Sequence, residues 1–147
     1  MGSGFEETEI GASHTTGGRT ITEADVMNFA GVSGDFNHLH TDAERMADSP
    51  VGQPVVHGTL VLSIATGLLW QSRSEAQRED LVAFYGIDKL RFIEPVYFDD
   101  TVHVETEVVD KEERDHPLAT GVIRTRIEVC NQHDTVVLAA EFLTLVR

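Results

Sequence analysis

The chain predicts an α+β fold in which a curved antiparallel sheet wraps around one long buried helix. Three observations carry that expectation. The segment Leu60 to Trp70 is apolar at nearly every position, the pattern of a helix buried on most of its faces. Helix-start signals and helical spacing of apolar residues fall in the first half of the chain. From Leu81 onward the period changes to two, as in half-buried strands. With 147 residues and 41% hydrophobic content, the chain suits a single domain, residues 1–147, with a real core.

The elements follow in order. Residues 1–8 predict a flexible start, and Met1-Gly2 raises N-myristoylation, which the next residues fit only loosely. Thr22-Glu23-Ala24-Asp25 matches a capping box, in which threonine accepts from a backbone amide and aspartate reaches back. Val26, Phe29 and Ala30 then recur at helical spacing until Gly31 and Gly34. Thr41-Asp42-Ala43-Glu44 reads as a second capping box, opening a short helix that stops near Ser49-Pro50. The intervening Asp35 to His40 is expected as a turn, with Leu39 anchoring it in the core. Gln71 to Asp80 is polar and reads as a surface loop or frayed helix end.

In the second half, Val82-Phe84, Gly86-Ile87 and Leu90-Phe92 predict a strand leading to Glu94-Pro95. Asp99-Asp100 is a turn signal. Val102, Val104, Thr106 and Val108 alternate with His103, Glu105 and Glu107 across a second strand. Asp110 to Pro117 reads as a charged hairpin connection, and Val122 to Val129 and Val136 to Leu145 as two more strands. Such a sheet has open edges, so a homodimer, or a dimer of dimers, is expected.

Composition narrows the partners. The 25 acidic and 11 basic residues give a net charge of −14, with no basic stripe, which argues against nucleic acid and against an anionic membrane. The acidity fits a solvated surface or adaptation to high salt, where counterions screen self-repulsion. No apolar run reaches membrane-spanning length, and the start lacks the basic-then-apolar pattern of a secretory signal. The single cysteine, Cys130, has no internal disulfide partner and reads as a buried, inert thiol. A cytoplasmic protein is expected.

The chemistry concentrates in two short clusters. Gly34-Asp35-Phe36-Asn37-His38-Leu39-His40 places a carboxylate, an amide and two imidazoles together. A carboxylate and an imidazole reaching one water can polarise it and relay its protons, and histidine titrates near working pH. Asn37 can orient that pair but cannot ionise. Pro54-Val55-Val56-His57-Gly58 puts a glycine at the start of the apolar helix. A ligand can approach Gly58 closely, and the unpaired first amides of the helix carry partial positive charge suited to an oxyanion. His57 reads as an imidazole bonding backbone at the helix entry. Ser63 could bond a substrate thioester or its own i−4 carbonyl, Thr59. His38 and His40 form a His-x-His pair, but a metal site needs further ligands and only His57 is evident, so no metal is expected.

Thr20 to Asp25, Phe29-Ala30-Gly31, Ser33 to Asn37, Leu39 to Asp42, and Val56-His57-Gly58 with Ser63 together resemble the MaoC-like dehydratases, which include the (R)-specific enoyl-CoA hydratases. The motif-level resemblance runs from about Thr20 to Trp70. It implies a hot-dog fold, with the Gly58 helix as the filling. It also implies hydration of trans-2-enoyl-CoA to (R)-3-hydroxyacyl-CoA, or the reverse, with an acyl-CoA thioester as substrate and no metal or redox cofactor. Carried over, Asp35 and His40 activate water, Asn37 supports them, Gly58 forms the oxyanion hole, and Ser63 and His57 lie near the substrate. One departure is His38, where many relatives carry proline. Two other readings use the same residues: a hot-dog thioesterase, and an acyl-CoA-binding module without turnover. Leu60, Ile64, Phe84 and Phe92 are expected to shape the acyl pocket, and Arg73, Arg78 and Arg91 are candidates for the coenzyme A phosphates.

Overall fold

The computed structural model describes residues 3–147. Met1 and Gly2, and with them the myristoylation question, lie outside the described residues. The element order is β1 (Ser13–Thr15), β2 (Arg19–Thr20), α1 (Glu23–Ser33), α2 (His38–Thr41), α3 (Ala43–Ala47), α4 (Gly58–Ser72), α5 (Glu75–Asp80), β3 (Leu81–Phe92), β4 (Thr101–Glu113), β5 (Gly121–Cys130) and β6 (Val136–Val146). The sheet runs β1-β4-β5-β6-β3, antiparallel throughout, with β2 also pairing with β4. With α4 lying against its inner face, this is the hot-dog architecture.

The core shows why the halves meet. On α4, Leu60, Val61, Ile64, Ala65 and Leu68 are buried. They pack against Val102 and Val104 of β4, Ile127 and Val129 of β5, and Leu138, Ala140 and Phe142 of β6. Fully burying each such side chain contributes about 1.5–3 kcal/mol. The helix is not buried on most faces, however. Thr59, Ser63 and Trp70 lie on an exposed side. An apolar composition therefore overstates burial within one chain, because one face of α4 and the neighbouring edge strand both remain uncovered. β3, 12 residues long, is that edge, and Phe84, Tyr85 and Phe92 on it are about half exposed.

Several local expectations change. Residues 3–8 are tied down rather than loose. Phe5 is buried, its amide donates to the Arg147 carbonyl, and Lys111 Nζ donates to the carbonyls of Phe5 and Thr8. Residues 71–80 are mostly helical, because Ser74 and Gln77 form a capping box at the start of α5. The charged stretch from Asp110 to Glu113 continues β4 instead of forming the connection; its backbone pairs with β5, Asp110 opposite Arg124, after a register shift between Val108 and Asp110. The short β1 and β2 carry too few residues to show a period in sequence. No helix among the described residues is long and apolar enough to cross a membrane.

Candidate active site

The first cluster is built by two helix boundaries. The Thr22–Asp25 capping box starts α1, and Gly34, at φ 78°, ends it in the left-handed conformation that a glycine adopts without strain. The chain then leaves at an angle that presents Asp35. Asn37 caps α2, its Oδ1 accepting from the Leu39 amide at 2.8 Å. Residues 38–41 are thus a helical turn and not the open turn expected. The next cap is Asp42, accepting from the Arg45 amide, while Thr41 donates back to the Phe36 and Asn37 carbonyls. Leu39 does not anchor the segment in the core, being 41% exposed at the cavity rim.

Each polar group near the cavity has one function fixed and one left free. Asn37 Nδ2 donates to Asp35 Oδ1 at 2.7 Å, and the Asn37 amide adds a bond to the same oxygen at 3.3 Å. Those two bonds, side chain first, hold the Asp35 carboxyl below its ordinary pKa. Asp35 Oδ2 is left without a hydrogen bond among the described residues and lies 3.9 Å from His40 Nε2. His40 Nδ1 is 2.6 Å from the Val55 carbonyl. A carbonyl only accepts, so Nδ1 carries the proton and Nε2 is the lone-pair nitrogen facing Asp35. Burial is the largest cause holding the His40 pKa below 6.5, with the neighbouring His57 and His38 also lowering it, against the Val55 bond and Asp35. The neutral, basic form is therefore favoured near neutrality.

His57 is 2% exposed and donates Nε2–H to the Asp35 carbonyl at 2.9 Å. It stacks on His40 with ring centroids 3.6 Å apart and meets the edge of Phe29 at 5.0 Å. Its Nδ1 is buried without a hydrogen-bond partner. His57 thus braces the loop and the His40 imidazole, matching the backbone-bonding reading. The Val55–His57 segment is itself pinned, the Val55 amide to the Leu39 carbonyl and the Val56 amide to Val96.

Gly58 opens α4 directly below this group. A methyl group at Gly58 would sit 2.6 Å from the Phe92 ring, so only glycine allows this approach. Asp35, His40, His57, Gly58 and Phe92 line one cavity of about 530 Å³, within the range of small-molecule sites. The predicted convergence of the two clusters is therefore what the structure contains. Ser63 is not brought in. It is exposed on α4 and donates to the Thr59 carbonyl at 2.9 Å. Of the expected pocket residues, Phe92 lines the cavity, Leu60 and Ile64 belong to the core, and Phe84 packs on Phe142 at the open edge. Val55 was not legible as a site residue, because it contributes only a carbonyl; Phe92 was expected at the pocket, but its contact with Gly58 was not.

Two groups carry metal-ligating atoms within 4.8 Å of one another: Asp35, His40 and His57, and His103, Glu105 and Cys130. In the first, His57 Nε2 donates to the Asp35 carbonyl, which leaves Nδ1 as its available nitrogen. His38 belongs to neither, since residues i and i+2 of a helical turn do not face each other. Among the arginines, Arg78 sits 5.2 Å over the Trp70 ring and Arg91 bonds the Leu90 carbonyl, while burial lowers Arg73 from its ordinary pKa.

Comparison with known proteins gives a consistent result. The MaoC-like domain matches residues 6–129. The chain is 45% identical over 100 residues to protein MaoC of Klebsiella aerogenes, covering 68% of this chain but only 29% of that protein. It is 39% identical over 104 residues to the (R)-specific enoyl-CoA hydratase of Aeromonas caviae, covering 71% of this chain and 72% of the enzyme. The crystal structure of a monoamine oxidase regulatory protein from Archaeoglobus fulgius superposes with a TM-score of 0.89 at 38% identity, covering 97% of this chain and 93% of that one. With the motif, the fold and these likenesses in agreement, the chain belongs to the MaoC-like dehydratase family.

Proposed function

We propose that this chain hydrates trans-2-enoyl-CoA to (R)-3-hydroxyacyl-CoA, or runs the reverse dehydration, using Asp35 and His40 to activate water and no metal or redox cofactor. The observation that carries the reading is the pairing of two free acceptors, Asp35 Oδ2 and His40 Nε2, 3.9 Å apart on the cavity that holds the start of α4. Two acceptors at that separation can both receive hydrogen bonds from one water and orient its oxygen. As the water oxygen bonds to the β-carbon, His40 Nε2 takes one of its protons. The π electrons move to the thioester, which becomes enolate-like, and the Gly58 amide stabilises the charge on its oxygen. The imidazolium, held beside the Asp35 carboxylate, then returns the proton to the α-carbon. The second water hydrogen stays on the new hydroxyl, so nothing else is consumed or released.

The family likeness supports this reaction class, and the Aeromonas enzyme is named for it. The substrate enters as an acyl-CoA, with Arg73, Arg78 and Arg91 as candidate phosphate contacts. The exposed Phe84 and Tyr85 on β3, with Trp70 of α4, form the surface through which two copies pair. The test is hydration of crotonyl-CoA, followed by loss of the conjugated thioester absorbance. Wild type turns over, and Asp35→Asn and His40→Ala each lose about 10²–10⁴ in kcat/KM while remaining folded. Near-normal turnover in both variants rejects these roles. Release of free thiol from saturated acyl-CoA, without hydration, selects a thioesterase instead.

A further inference from the structure

The second donor cluster lies on the opposite face of the sheet. Val102, Val104, Ile127 and Val129 are fully buried against the helix side. Strand alternation therefore turns the intervening His103, Glu105, Glu128 and Cys130 to the outer face. His103 and Cys130 are directly opposed across β4 and β5, and so are Glu105 and Glu128. The directly opposed pair puts the imidazole and thiol at cross-strand distance. Glu105, two residues along the same strand, completes the group, with Oε1 3.5 Å from His103 Nε2.

We propose that His103, Glu105 and Cys130 bind one borderline-soft divalent cation, Zn²⁺ best matching the donor set, with the fourth position taken by water or Glu128. Four observations point to a ligand. One nitrogen, one oxygen and one sulfur donor lie within 4.8 Å of one another, which suits a tetrahedral ion with bonds of about 2.0–2.3 Å. Second, Cys130 is 3% exposed and His103 about one-fifth, whereas Glu105 is about half exposed. The soft donors are thus shielded while one ligand stays open to arriving ions.

The third observation is uncompensated charge. Glu105, Glu128 and Asp134 all lie close enough to the Cys130 thiol for their charge to act on it. None of the three pairs with a lysine or arginine among the described residues, whereas the nearby Glu107 pairs with Arg126. A divalent cation supplies the missing positive charge and lets the thiol act as thiolate. Fourth, the ligands join two strands beside the hairpin turn, at a point where the β5–β6 register shifts between Val129 and Cys130. An ion there would clamp the hairpin end and add to stability by binding only the folded state.

Because Cys130 is the sole cysteine, a thiolate-to-cobalt charge-transfer band reports this site and no other. The full chain, in a phosphine reductant, is titrated with Co²⁺ and then with Zn²⁺. The expected result is a near-ultraviolet band that saturates at one Co²⁺ per chain and is bleached by Zn²⁺. Cys130→Ser abolishes it. Glu105→Gln, at an exposed position that leaves the fold intact, weakens Co²⁺ affinity by at least the ~10-fold that even outer-shell changes cost. No band in the wild-type protein overturns the proposal. So does a band that Glu105→Gln and His103→Gln both leave unchanged, since the thiol would then bind cobalt without these partners.

Discussion

The two donor clusters contain similar atoms and are arranged in opposite ways. In the Asp35–His40–His57 group, both imidazoles are committed through one nitrogen to a backbone carbonyl, and Asp35 is held through one oxygen by Asn37. Each residue keeps a single defined function, aimed at a cavity lined partly by apolar side chains. In the His103–Glu105–Cys130 group, the only side-chain contact between ligands is the His103–Glu105 pair, at 3.5 Å. Two further carboxylates, Glu128 and Asp134, lie beside it without lysine or arginine partners among the described residues. Proton transfer requires groups whose tautomers are fixed in advance. Ion binding requires donors whose lone pairs are still available. The same residue types are therefore arranged in two ways: the first group is oriented by backbone carbonyls and Asn37, and the second by its place on two neighbouring strands.

The largest expected effect tests the fixed cluster as a unit. If Asp35 and His40 act on the same water, the double variant Asp35→Asn/His40→Ala loses no more activity than the worse single variant, within the ~10²–10⁴ of one acid/base group. Losses that multiply would mean the two act in separate steps. Cys130→Ser in the same assay leaves kcat/KM unchanged, because the outer-face cluster has no part in the reaction.

Next in size is Gly58→Ala. The added methyl would lie 2.6 Å from the Phe92 ring, so the ring or the helix start must move. Displacing the oxyanion donor costs ~10²–10³ in kcat. Adding Phe92→Ala to Gly58→Ala should recover part of the loss by removing the clash. A double variant as impaired as the single would show that the methyl blocks substrate itself.

How much of this was readable in the chain follows the distance over which each feature is determined. The α1 capping box, α4 and the alternation along β4 to β6 depend on neighbours within a few residues, and they were legible. So was the grouping of Asp35, His40 and Gly58 at one cavity, with Asn37 bonded to Asp35. Leu39 was misjudged because apolarity was taken for burial, whereas the capping of α2 by Asn37 turns that side chain to the rim. The α5 helix was missed because its Ser74–Gln77 box starts a helix with no apolar face to reveal it. The Val55 carbonyl that sets the His40 tautomer, and the Phe92 ring that enforces Gly58, come from segments far along the chain. No local pattern encodes them.

A middle-sized prediction concerns Asn37→Ala. It removes the α2 cap, costing ~0.5–2 kcal/mol of stability, and frees Asp35 Oδ1. The Asp35 pKa then rises toward its ordinary 3.8, and kcat falls more than KM changes, because the carboxylate loses its aim rather than the substrate its contacts. Thermal unfolding and steady-state hydration read the two effects separately.

The pH profile gives a gentler test of His40 as the base. The folded protein holds His40 below the 6.5 of the unfolded chain. As pH falls, the unfolded state binds the proton first, so stability is complete above 6.5 and declines below it through the folded-state pKa. Activity follows the same group: kcat/KM is level near neutrality and falls on the acid side, with a midpoint below 6.5, by about tenfold per pH unit. A midpoint above 6.5 would mean that the Val55 bond and the Asp35 carboxylate outweigh burial around His40.

The smallest effect is expected at Ser63, and it separates resemblance from geometry. The motif resemblance implies a position near the acyl site for this residue, while the structure commits its hydroxyl to the Thr59 carbonyl on an exposed side of α4. Such i−4 bonds stabilise a helix little or not at all, and alanine is the better helix former. Within one chain, Ser63→Ala should therefore leave kcat/KM within about twofold and stability within ~0.5 kcal/mol. The face that carries Ser63 is also the uncovered face of α4. A tenfold or greater rise in KM with no change in stability would mean that a second copy closes over this side and that Ser63 meets the substrate bound by the partner. That outcome would move part of the acyl site from the cavity to the dimer interface, and it would make the exposed β3 edge part of the catalytic architecture.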